Sequence, residues 1–174
     1  MMCAAVRVFL APGATGGVES LGPYVDGLAA RGVDARTVRL PGGTAERAVP
    51  IYLEQSGTGP DVVIGGRSYG GRVASLAAAA PGSDFAGLLL FAYPLHRPGF
   101  PNQLRTAHWP DIRCPVLIVQ GESDAFGSPA EVRREAGLLR EARVVTLAGT
   151  GHDLKARLDD ALAAAAEWIA WLRR

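Results

Sequence analysis

Six short runs of apolar and β-branched residues recur along the chain: Val6 to Leu10, Ala35 to Leu40, Val62 to Ile64, Gly87 to Phe91, Pro115 to Val119 and Arg143 to Leu147. Runs of this length between turn residues read as strands. The stretches between them carry the helical period instead, at Leu21, Tyr24, Val25 and Leu28, at Val132, Ala136 and Leu139, and at Leu154, Leu158, Leu162, Ala165, Ile169 and Leu172. A further helix is expected from Ser68 through Ala80, where Pro81 stops it. Between Thr44 and Ser56, Pro50 should kink or split whatever helix forms. Continuously apolar strands that alternate with helices build a parallel sheet covered on both faces and joined by right-handed crossovers. The expected fold class is therefore α/β, a doubly wound, mainly parallel six-stranded sheet with helices on both faces.

At 174 residues the chain is long enough for one sizeable core, and a single domain over 1–174 is expected. Lys and Arg total 18 against 17 Asp and Glu, with no block of like charge, so neither nucleic acid nor an anionic membrane is an expected partner. The first residues, MMCAAVRVFLAPGATGG, lack a basic segment followed by a long apolar one and read as a strand. The later LDDALAAAAEWIAWLRR carries charge at both ends and Glu167 inside, which does not suit a bilayer. Cys3 and Cys114 have no metal-ligand or disulfide-framework spacing, and reduced thiols in a cytoplasm fit them best. There is no internal repeat and no linker.

The most informative stretch is VVIGGRSYGGRVA, Val62 to Ala74, in which a strand turns through glycines into a helix with Ser68 at the bend. Gly66, Ser68 and Gly70 fit GxSxG, where small residues two places from the serine let the chain make a strained, close turn. A glycine loop at a helix start also suits phosphate. However, no lysine follows as a Walker A loop requires, and the first strand runs into APGATGG, which keeps only part of a dinucleotide fingerprint. A glycine turn used only for packing is the third reading. A serine nucleophile needs a base and an acid downstream, in the order Ser, Asp or Glu, His. PVLIVQGESDAFGS supplies Asp124 after the fifth strand, with Glu122 as a nearby competitor, and VVTLAGTGHDL supplies His152 after the sixth. Groups at the carboxyl ends of strands converge in such sheets. Asp153, beside His152, reads as a helix cap.

The order GRSYGGR, VQGESDAFG, GTGHD resembles the α/β-hydrolase fold, and more narrowly the small dienelactone-hydrolase-like group that includes the KANL/Tex-type proteins. The resemblance runs from Val8 to the C-terminal helix and implies Ser68 as nucleophile, Asp124 as acid and His152 as base. It also implies an oxyanion hole formed by the backbone N–H groups of Ala14 and Tyr69. Family members usually place a histidine before the glycine that follows the first long strand, and here Pro12 stands in its place. The fold commonly begins with two further strands at one edge. What remains is a minimal version with expected strand order 2-1-3-4-5-6.

The proline-rich segment from Tyr93 to Asp111 reads as a lid or binding loop, with His96 and His108 at the substrate mouth and Tyr93 and Trp109 as apolar walls. Arg67 is a candidate to meet an acidic substrate group, and Arg72, one turn into the helix, reads as structural. The expected function is cleavage of a small-molecule ester or thioester through an acyl-enzyme, with no metal and no organic cofactor. A catalytically silent interaction protein on the same fold, and an acyltransferase or cyclase using the same site, are the alternatives.

Overall fold

The computed structural model of the chain describes residues 5–174. Its elements are β1 (Arg7–Ala11), a 3-10 turn (Val18–Leu21) leading into α1 (Gly22–Ala29), β2 (Asp34–Thr37), α2 (Ala45–Ser56), β3 (Gly59–Arg67), α3 (Tyr69–Ala79), β4 (Phe85–Phe91), β5 (Val116–Gly121), α4 (Pro129–Glu135), β6 (Ala142–Leu147) and α5 (Leu158–Leu172). All strand pairs are parallel, in the order β2-β1-β3-β4-β5-β6. This is the order expected from the sequence.

Successive residues of the inner strands bury on opposite faces, as the two-residue period of a strand requires. Phe9, Ile64, Leu88, Leu90 and Ile118 pack with Ala48 and Tyr52 of α2, Val73 and Ala77 of α3 and Val132 of α4. Val8, Leu10, Val63, Leu89, Phe91, Leu117 and Val119 pack on the other face with Tyr24 and Leu28 of α1 and with Leu162, Ala165, Trp168 and Ile169 of α5. Two covered faces explain why these strands read as continuous apolar runs. Each such side chain removed from water contributes about 1.5–3 kcal/mol. The edge strands β2 and β6 are mostly exposed or half-buried.

Several boundaries differ from the sequence expectation; β2 ends at Thr37 rather than Leu40, and α4 ends at Glu135. β3 extends well beyond Val62 to Ile64, because ladders with β1 and β4 support it on both sides. α2 runs uninterrupted through Pro50. The proline removes only the bond to the Glu46 carbonyl near the helix start, while buried Ala48 and Tyr52 anchor the helix to the sheet. At the far end, Leu154 does not belong to α5 but adopts a left-handed conformation, φ 57°, before a 3-10 turn. Among the described residues no helix is long and apolar enough to cross a membrane. Cys114 is a free thiol whose pKa burial pushes up to about 11, and Cys3 lies outside the described residues.

Tyr52 sets the position of α2 against the sheet. Its hydroxyl is fully buried, accepts the Gly65 N–H at 2.9 Å and faces the carbonyls of Phe9 at 2.8 Å and Gly65 at 2.7 Å. A side-chain hydroxyl thus joins the β1–β3 ladder, and burial holds its proton far more tightly than an exposed phenol would. Replacing Tyr52→Phe leaves the Gly65 N–H without a partner in a dry environment. The expected cost is about 1–3 kcal/mol, read as a lower urea midpoint at unchanged m-value.

Candidate active site

The turn between β3 and α3 is built on close backbone approach. A Cβ on Gly66 would lie 2.6 Å from the Ala11 carbonyl oxygen and 2.7 Å from the Gly71 nitrogen; one on Gly70 would fall on the Ala11 carbonyl and 2.6 Å from that of Pro12. The obstacles are main chain and cannot rotate away. Between these glycines Ser68 takes φ 50°, ψ −117°, a conformation that non-glycine residues rarely hold and that costs about 1–3 kcal/mol. Its N–H donates to the Phe91 carbonyl at 2.9 Å, tying the strained turn to the end of β4.

The ends of β5 and β6 bring two side chains to this serine. The Ser68 Oγ lies 2.8 Å from His152 Nε2, and His152 Nδ1 lies 2.8 Å and 3.0 Å from the two oxygens of Asp124. Asp124 accepts at both oxygens, from Gln120 Nε2 at 3.1 Å and from the Phe126 N–H at 2.8 Å, and its carboxyl is fully buried. A carboxylate used this way is an acceptor toward His152, so the imidazole carries its proton on Nδ1. Nε2 is then free to accept the serine proton. Phe126 stacks on the imidazole with centroids 4.2 Å apart, which limits its rotation. Gly121 lets the loops meet, since a Cβ there would collide with the carbonyls of Thr150 and Gly151.

The competitors for these positions are engaged elsewhere. Glu122 accepts the Gly149 N–H at 3.0 Å on the surface, and Asp153 accepts the Lys155 N–H at 3.1 Å. Ser128, not Asp124, caps α4 in a reciprocal box with Glu131. Gln120 is the supporting residue that sequence reading missed. It also accepts the Tyr93 N–H at 3.0 Å and reaches the Tyr93 and Gly127 carbonyls, and its signal was a lone amide in an apolar strand.

A cavity of about 520 Å³ opens beside Ser68, with walls from Gly13 to Thr15, Gly43 to Glu46, Arg67 to Tyr69, Arg72, Pro94, Arg97, Arg105, Phe126 and His152. Ala14 and Tyr69 both line it. Among the described residues their N–H groups bind no backbone carbonyl. Tyr69 opens α3, where the first turn leaves such donors free.

The four residues expected to line the mouth do not reach this cavity. Tyr93 and Trp109 are fully buried and pack on each other at 5.1 Å behind the wall, where the Tyr93 hydroxyl donates to the Arg105 carbonyl. His96 is buried against Glu131 and the Arg97 carbonyl. His108 donates from Nε2 to Ser75, whose own proton goes to the Arg72 carbonyl. The segment from Tyr93 to Asp111 folds Tyr93, Leu95 and Trp109 inward as its apolar payload, while Phe100 and Leu104 stay exposed. Its prolines and Arg97 and Arg105 are left to shape the surface. Arg72, expected to be only structural, lines the cavity and pairs with Glu46 at 3.2 Å.

Residues 43–173, which include Ser68, Asp124 and His152, match the alpha/beta hydrolase domain family. The chain belongs to that family. Two solved structures of the same fold are a monoacylglycerol lipase from Paleococcus ferrophilus, with TM-score 0.78 and 16% identity over 97% of this chain and 96% of that one, and Est1E from Butyrivibrio proteoclasticus, with TM-score 0.80 and 15% identity over 98% and 89%. At such identities the likeness is one of fold. A shorter match, 43% identical over 47 residues, is to polyketide synthase ThaQ of Burkholderia thailandensis; it covers 27% of this chain and 2% of that protein.

Two predictions follow from this hydrolase-fold geometry. Gly70→Ala should cost about 1–3 kcal/mol or more in urea unfolding, because main chain must move to admit the methyl group. Gly22→Ala, with open space around its Cα, should be neutral. Burial, with Arg72 nearby, pushes the His108 pKa from its ordinary 6.5 down to about 4. The unfolded chain therefore binds the proton more readily, and the stability His108 contributes is present above pH 6.5 and lost as pH falls toward 4. Urea midpoints between pH 7 and about 4 should fall less steeply in His108→Gln than in the parent.

Proposed function

We propose that this family member is a serine hydrolase that cleaves a small-molecule ester or thioester through an acyl-enzyme. The observation that carries the reading is the unbroken hydrogen-bonded series Asp124–His152–Ser68, with the serine oxygen facing a cavity. Its family membership and its lipase and esterase fold neighbours agree with ester hydrolysis. His152 takes the Ser68 proton as Oγ attacks the carbonyl carbon, and the N–H groups of Tyr69 and Ala14 receive the developing oxyanion. Asp124 stabilises the imidazolium, which then protonates the departing alcohol or thiol. A water molecule gives one proton to His152 as its oxygen attacks the acyl carbonyl; the imidazolium then returns that proton to Ser68 Oγ as the C–O bond to the serine breaks, releasing the acid and restoring both residues. These steps use side chains and backbone alone.

Pro12 is compatible with this role assignment, since the oxyanion donor is the main-chain N–H two residues later. Within the family, the run from Tyr93 to Gly127 keeps the resemblance to the small dienelactone-hydrolase-like group, and the reading includes a cytoplasmic setting. A fluorophosphonate probe should label Ser68, identified by peptide mass mapping. Ser68→Ala should abolish labelling and lower turnover of short-chain esters by roughly 10⁴-fold or more. A folded parent protein that resists the probe at Ser68 refutes the reading.

A further inference from the structure

The cavity that opens on Ser68 is ringed by guanidinium groups. Arg67, Arg72, Arg97 and Arg105 line it against one carboxylate, Glu46, although the chain as a whole holds 18 Lys and Arg against 17 Asp and Glu. A wall drawn evenly from that composition would carry carboxylates as often as cations. Glu46 is matched already, by Arg72 Nη2 at 3.2 Å. Among the described residues, Arg67, Arg97 and Arg105 have no carboxylate within ion-pair distance.

Other groups hold two of these arginines in position. Arg105 donates from Nη1 to the Pro94 carbonyl at 3.3 Å, and Arg97 donates from Nη2 to Gln103 at 3.1 Å while its guanidinium lies 4.7 Å over the Phe100 ring. The Nε of Arg72 is buried without a partner. Burial first, and then repulsion from Arg72 and Arg97, loosens the proton of Arg105. Like charges gathered at a partly desolvated wall repel until a counter-charge arrives. The described residues of the protein supply none for three of the four.

We infer that the substrate carries a phosphate group, which Arg67, Arg97 and Arg105 bind while Ser68 attacks the ester or thioester. Three unmatched guanidinium groups exceed what a single carboxylate neutralises. A phosphate monoester holds close to two negative charges near neutral pH and three acceptor oxygens, enough to take forked N–H pairs from more than one arginine. A cavity of about 520 Å³ accommodates that group together with a small acyl chain. The inference rests on the acyl-transfer reading for the bond that is cleaved, and on the arginines alone for the anion.

The test separates those two supports. Phenyl phosphate, benzoate and benzyl alcohol are titrated calorimetrically into Ser68→Ala protein, which binds without turnover. Three acetyl esters whose alcohol part ends in phosphate, carboxylate or hydroxyl are then assayed with the parent. Phenyl phosphate is expected to bind tightest, and the phosphate-bearing ester to have the highest kcat/KM. Arg97→Gln and Arg105→Gln should each weaken both by about tenfold or more, while added salt weakens phosphate binding in all. Arg140→Gln, exposed on the turn before β6 at the opposite end of the sheet, should change neither. Benzoate binding as tightly as phenyl phosphate, a neutral ester turned over as fast as the phosphate-bearing one, or binding indifferent to Arg97 and Arg105 overturns the inference and leaves the serine chemistry intact. Arginine-dependent phosphate binding with none of the esters hydrolysed overturns the acyl-transfer reading and keeps the anion site.

Discussion

Where β1 ends, the carbonyls of Ala11 and Pro12 press directly on Gly66 and Gly70, and no side chain fits between. This main-chain contact brings the loop after β1, Pro12 to Thr15, and the start of α3 to the same rim of the sheet. It also forces the turn in which Ser68 holds its strained backbone. A parallel sheet makes that rim the natural place for a site, because every strand delivers its carboxyl end there and every crossover returns along the faces. The Ser68 and His152 side chains, the cavity and its arginines all gather at this one edge, on the end of β3, the start of α3 and the loops that leave it.

Holding loops in register takes more than the sheet. Gln120, buried at the end of β5, binds the main chain of Tyr93 on one side and Asp124 and Gly127 on the other, so the loops after β4 and β5 share one amide. The Asp124 carboxyl accepts at both oxygens before it meets His152, which restricts the imidazole to one orientation. The proposed chemistry needs this preorganisation: a base that must wait for its partner to rotate into place contributes little at the moment of proton transfer.

The strand count, the parallel order and the convergence of Ser68, Asp124 and His152 were legible in the sequence, since each follows from a local rule. Apolar runs alternate with helical periods, glycines flank a serine at a strand-to-helix turn, and an acid and a histidine follow later strands. Of the rest of the cavity wall only Ala14, Arg67 and Tyr69 were legible. Tyr93, His96, His108 and Trp109 were expected to face the substrate, but a loop without periodicity gives no sign of which side chains turn inward. Burial took the aromatics and His96, and a hydrogen bond to Ser75 holds the half-buried His108 away from the cavity. Pro50 shows the same limit, for a local breaker was overridden by the packing of Ala48 and Tyr52.

By itself, then, the amino-acid order determined that this chain builds a doubly wound parallel sheet and that a serine, an acid and a histidine stand at three of its strand ends. Both are consequences of periodicity and spacing, which act between near neighbours. Only the tertiary structure decided that Gln120 supports Asp124, that Phe126 stacks on His152, and that four arginines from β3, α3 and the loop after β4 gather around one cavity. The stacking and the arginine wall join residues far apart along the chain, and the Gln120–Asp124 bond, though local, depends on how the loop after β5 turns; periodicity and spacing specify none of the three.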